Sequence, residues 1–183
     1  GSMPCAGGVV GINNGTIYNC YNKESIVISS GQDEYRSGNC GGIVGRNERY
    51  GIVDSCYNIG NVTSDYGGGN AGGITGSNCG KINNCYNAGS IKGKNDVAGG
   101  IAGANWSYVP TTPGEISNCY NIGNVSALSI AGSIVGNNSG TIKSCDNHSN
   151  ITGNYYVGGI SGYVHNGSVI NCNNTGEISG LGA

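Results

Sequence analysis

An all-β chain wound as a parallel β-solenoid of about six coils, three short strands to a coil, is the fold this sequence predicts, on three observations. Glycine supplies 37 of 183 residues while charged side chains make up only 10%, so the chain turns often and carries little charge. A cysteine-centred segment returns six times, and a Gly-rich pentamer precedes every copy. The same composition excludes other classes. A helical bundle needs abundant leucine, and Leu128 and Leu181 are the only two. Collagen needs glycine at every third position and much proline, and this chain has three prolines. No run of about 18 apolar residues is present to span a membrane. The net charge of −2 and pI near 5.5 argue against a nucleic-acid partner.

The first element of each unit is the pentamer: GGVVG (7–11), GGIVG (41–45), GGITG (72–76), GGIAG (99–103), GSIVG (132–136) and GGISG (158–162). Its third residue stays Val or Ile while its fourth drifts to Thr75, Ala102 or Ser161, so the third is expected inside and the fourth outside. The second element centres on cysteine, as in KINNCYNAGSIKG (81–93), EISNCYNIGNVSA (115–127) and IVDSCYNIGNVTS (52–64). An apolar residue lies three before each cysteine (Ile17, Val53, Ile82, Ile116, Ile142, Val169). The third element carries another six after it (Ile26, Val62, Ile91, Val125, Ile151, Ile178). Both sit among freely varying polar residues, the pattern of strands with one buried face. Because the apolar residue and the cysteine are three apart and both face in, a bend is expected at the Asn or Ser between them. Glycine and asparagine suit the corners, where backbone with positive φ is needed. Adjacent coils would pair in parallel at about 4.8 Å, giving six coils a length of roughly 29 Å.

Two rows run up the stack. Cys20, Cys56, Cys85, Cys119, Cys145 and Cys172 share one inward slot, where a thiol is a compact apolar side chain. Asn22, Asn58, Asn87, Asn121, Asn147 and Asn174 lie two residues later, placed to hydrogen-bond from coil to coil. Parallel in-register cysteines suit a disulfide poorly, so the row is expected to be reduced. Cys5, Cys40 and Cys79 lie outside it, and a Cys5–Cys40 disulfide between neighbouring coils is an alternative left open.

The alternation of GGIxG with GxIxNCYNxGxVxG resembles the GLUG repeat of bacterial cell-surface proteins, among them adhesin-like proteins and the non-catalytic regions of immunoglobulin A1-cleaving metallopeptidases. The resemblance covers nearly the whole chain, departing most at Ser133, Asp146 and Asn173. It implies an extracellular, secreted or cell-surface β-solenoid and carries no chemistry of its own.

Residues that break the repeat are therefore the candidates for binding. One insertion reads ISSGQDEYRSGNC (28–40) and offers Tyr35 and Arg36. Another, ANWSYVPTTPG (104–114), holds Trp106 and Tyr108 and suits a sugar ring or an apolar patch of a partner. Tyr21, Tyr57, Tyr86 and Tyr120 follow the cysteines and are expected to point outward as an aromatic stripe that binds glycan or protein, or else simply stabilises the stack.

Catalysis finds little support. The acids Glu48, Asp54, Asp65, Asp96 and Glu115 are scattered among coil positions, so no carboxylate pair assembles. For a metal the only pairing is Cys145 with His148, or His165 alone, too few for zinc, and no cofactor is expected. Gly1-Ser2-Met3 reads as the scar of a cleaved tag, leaving one solenoid domain over 4–183 with coils starting near 7, 41, 72, 99, 132 and 158. The expectation is a non-catalytic scaffold or adhesive module of a larger surface protein, whose partner is a host or microbial surface protein or glycan. The alternatives are a substrate-positioning region of a secreted metallopeptidase and, less favoured, a glycan-active β-helix enzyme.

Overall fold

The computed structural model describes residues 3–29, 38–65, 68–94, 97–107 and 113–180. Thirty short strands form five parallel sheets of six strands each, with no helix among the described residues. The chain thus winds six coils, over 5–28, 39–64, 70–93, 97–127, 130–153 and 156–180. Each coil adds one strand to every sheet. In the second coil these are Asn39–Gly41, Val44–Asn47, Ile52–Asp54, Tyr57–Asn58 and Val62–Ser64, which define the first to fifth sheets in order. Register is strict: Ile17, Val53, Ile82, Ile116, Ile142 and Val169 form one row across the third sheet.

Five strands to a coil, rather than three, arise from two breaks in simple alternation. The first lies within the pentamer. The backbone N–H groups of Ile43 and Val44 both donate to the Ile74 carbonyl, at 3.1 and 2.9 Å, and Ile101 and Ala102 likewise share the Ile134 carbonyl. Two residues facing one partner make a bulge, which turns the chain and points successive side chains the same way. The fourth pentamer residue is therefore inside, contrary to the alternating pattern: Val44, Thr75, Ala102 and Val135 are fully buried beside Ile43, Ile74, Ile101 and Ile134. The second break precedes each cysteine. Asn19, Ser55, Asn84, Asn118, Ser144 and Asn171 all adopt left-handed backbone, with φ between 50 and 54°. That residue bends the strand where Ile and Cys, three apart, must both face inward.

The glycines serve a different purpose from the one their number suggests. Gly68 is the only described glycine with left-handed φ. Gly42 is needed because a Cβ there would collide with the Gly73 carbonyl of the next coil and with the Asn58 amide. Close approach of backbone to backbone, not turn conformation, sets the glycine content at such positions.

The interior is divided in two. The larger core stacks Ile43, Val44, Val53 and Cys56 on their equivalents in the other coils. The smaller sets Cys40, Ala71, Ala98 and Ala131 of the first sheet against Val62, Ile91, Val125 and Ile151 of the fifth. Asn58 lies at the boundary. Along the chain it falls between Cys56 of one core and Val62 of the other, and in space its amide abuts Gly42, which lies between Cys40 and Ile43. The apolar side chains of these narrow layers are Ile, Val, Ala and Cys, each buried Ile or Val contributing about 1.5–3 kcal/mol.

Candidate binding faces on a laddered scaffold

The boundary asparagines form a hydrogen-bonded ladder. Nδ2 of Asn22, Asn58 and Asn87 each donates to Oδ1 of the asparagine one coil on, at 2.8 Å. The same amides close their own corners by donating to the carbonyls of Glu24, Gly60 and Gly89. Ser133 stands where other coils have glycine, and the ladder changes there. Asn121 Nδ2 donates to the hydroxyls of Ser133 and Ser149, and Ser133 Oγ passes the bond to Asn147 Oδ1. Asn147 Nδ2 then donates to Asn174 Oδ1 at 2.6 Å.

A second ladder escapes the sequence reading. Asn13, Asn47, Asn78, Asn105 and Asn138 are linked Nδ2 to Oδ1 at 2.8 Å at every step. Its signal is an asparagine two after the last pentamer glycine, visible only once the units are aligned on that glycine. This ladder underlies the corner between the second and third sheets, where two insertions emerge. Asn47 Nδ2 donates to Gly51 O across residues 48–50, and Asn105 Nδ2 to Gly114 O across residues 106–113, both at 3.1 Å. The loops lengthen while the closure beneath them is unchanged.

Two coils apart, these insertions flank a trough of about 590 Å³. Arg49, Tyr50 and Pro113 wall it, and outward residues of the third sheet, Ile52, Lys81, Glu115, Thr141 and Lys143, floor it. Arg49 lies over the Tyr50 ring, 5.3 Å from its centroid, and Lys143 pairs with Glu115 at 2.8 Å. Three cations face one acid there, on a chain whose net charge is −2. None of these residues stands out in the sequence, because outward positions vary from unit to unit and only the register assembles them.

Trp106 is half-buried on the other side of the same corner and lines a cleft of about 330 Å³. Tyr108, Tyr35 and Arg36 lie outside the described residues. Tyr21, Tyr57, Tyr86 and Tyr120 stack with centroids 5.0–5.2 Å apart and planes within 11°. Lys23 caps the stack over Tyr21. Partial burial, then the neighbouring Tyr120 and Tyr57, raises the Tyr86 hydroxyl above its usual pKa. The row ends at Asp146, whose carboxylate accepts from Asn173 Nδ2 at 2.9 Å.

The cysteine row faces the larger core. Backbone N–H groups of Cys20, Cys56 and Cys85 donate to the Sγ of Cys56, Cys85 and Cys119, each at 3.4 Å. Cys56, Cys85 and Cys119 donate their thiols to the carbonyls two residues before them, at 3.1 Å. Burial, with the thiols of Cys145 and Cys85, pushes the Cys119 thiol well above its usual pKa, which disfavours the reactive thiolate there. The Cys5–Cys40 disulfide does not form. Cys5 is in register with Asn39, and Cys40 with Ala6, so the two thiols project from opposite faces of the first sheet. His148 is exposed and its Nδ1 lies 2.8 Å from Thr175 Oγ1, while Cys145 faces the core. Among the described residues no three His, Cys, Asp or Glu side chains gather as a metal site. Among the described residues no helix is long and apolar enough to cross a membrane.

The GLUG motif model matches residues 4–27 and 153–179, in the first and last coils. No curated protein and no solved structure matches the chain significantly. The coils between those segments keep the same pairing register and the same cysteine and asparagine rows. The chain thus carries the GLUG motif in two segments of a structure built throughout as a parallel β-solenoid.

Proposed function

We propose that this chain is a non-catalytic extracellular module of a bacterial surface protein, a stiff scaffold that presents an adhesive face to a host or microbial surface. The observation that carries this reading is the insertion corner. Two loops leave the scaffold two coils apart, flank one trough and rest on an unbroken asparagine ladder, so binding groups stand on a rigid base. Tyr50 and Pro113 give that trough apolar surface and Arg49, Lys81 and Lys143 a positive lining, which suits a partner of complementary charge.

The test is binding of the purified chain to arrays of extracellular-matrix proteins and cell-surface glycans. The native chain should give saturable signals, and Tyr50→Ala combined with Lys81→Ala should lower signals from the trough's partner at least tenfold. A chain that binds nothing on either array contradicts the adhesive reading.

A further inference from the structure

We infer that the cleft beside Trp106 is a saccharide site that takes an uncharged sugar chain lying along the coil stack; this rests on the adhesive reading above and names the ligand of a second face. The cleft opens where the first-sheet strands begin, at Asn39 and Asn70, and the second-sheet strands end, at Arg46, Ser77 and Asn137. Trp106 supplies an aromatic wall on which the C–H face of a pyranose can stack. Around it are side-chain amides, a hydroxyl and a guanidinium, groups that pair with sugar hydroxyls as donors and acceptors.

Two details select a neutral polyol over other ligands. Arg46 is already paired with Glu48, through Nε at 3.1 Å and a terminal nitrogen at 3.3 Å, so the cleft offers an anion no uncompensated charge. Asn137 Oδ1 is buried and, among the described residues, has no hydrogen-bond partner. A buried acceptor left unpaired is costly, and because Asn137 lines the cleft, rotation of its side chain would bring that oxygen to a hydroxyl donor of the ligand. An extended peptide fits poorly, because it would need a free strand edge and the sheets' edges lie only at the two ends of the stack.

The same row gives the ligand its direction. Ser77, Ala104, Asn137 and Tyr163 follow one another, one coil at a time. Beyond Asn137, Tyr163 and Tyr156 pair with centroids 5.4 Å apart and supply a second aromatic surface. Two aromatic platforms two coils apart, about 10 Å, with Asn137 between them, match a chain of about two sugars better than a single ring.

The experiment is an array of neutral and acidic oligosaccharides alongside extracellular-matrix proteins, probed with the native chain and four variants. Neutral oligosaccharides should bind with little salt dependence. Trp106→Ala should weaken them at least tenfold, Trp106→Tyr should retain most of the signal, and Asn137→Leu should weaken them about fivefold without lowering the melting midpoint. The combined Tyr50→Ala and Lys81→Ala variant should leave them unchanged. Binding confined to acidic glycans and abolished by salt overturns the inference, as does neutral-glycan binding indifferent to Trp106 and Asn137. Binding to proteins but no glycan overturns it while leaving the adhesive reading standing, and an array silent throughout overturns both.

Discussion

Thr75 is an isolated polar atom in an apolar row. It is in register with Val44 and Ala102, and its hydroxyl is buried with no partner among the described residues. Valine has nearly the same shape and no hydroxyl to desolvate. Thr75→Val should therefore stabilise the fold by about 1 kcal/mol, read as a higher urea midpoint at unchanged slope. A lower midpoint would show that the hydroxyl has a partner. The sequence presents this position as outward, because Thr75, Ala102 and Ser161 occupy it in three of the six units and alternation places it opposite an inward isoleucine. The bulge reverses that inference. It depends on two N–H groups sharing one carbonyl of the next coil, and no residue pattern within one unit records such a bond.

At the scale of an element, the ladders are the connected polar parts of the interior. Asn78 donates to Asn105 Oδ1 and to the Gly80 carbonyl, accepts from Asn47 Nδ2, and is fully buried. Asn78→Ala removes these bonds and strands a donor on Asn47 and an acceptor on Asn105, a cost of about 3 kcal/mol or more. Chemical denaturation measures it, and a loss below about 1 kcal/mol would mean that the amides are hydrated rather than laddered. The asparagine that closes CYN is legible because its distance from the cysteine does not vary. The second ladder is hidden because insertions of different length follow it, as between Asn105 and Gly114. The trough is hidden more deeply still. Arg49, Lys81 and Lys143 come from different coils at positions where the repeat imposes no residue type, and only stacking brings them together.

Across the whole molecule, identity of register matters more than identity of sequence. Coil five tolerates Ser133 and Asp146, and coil six Asn173, because each still pairs with its neighbours in the same five sheets. Stability is then a sum of stacked interfaces, and the end coils, each with one neighbour, are the least buried. The cysteines report this arrangement directly. Cys40, Cys56, Cys79, Cys85, Cys119 and Cys145 are buried, whereas Cys5, Cys20 and Cys172, in the first and last coils, are partly exposed. Alkylation of the native, reduced chain followed by intact-mass and peptide analysis counts them. The solenoid predicts rapid modification of Cys5, Cys20 and Cys172 alone, with the other six thiols reacting only after denaturation. Rapid native-state modification of all nine would contradict the stacked, inward cysteine row and the six-coil fold built on it.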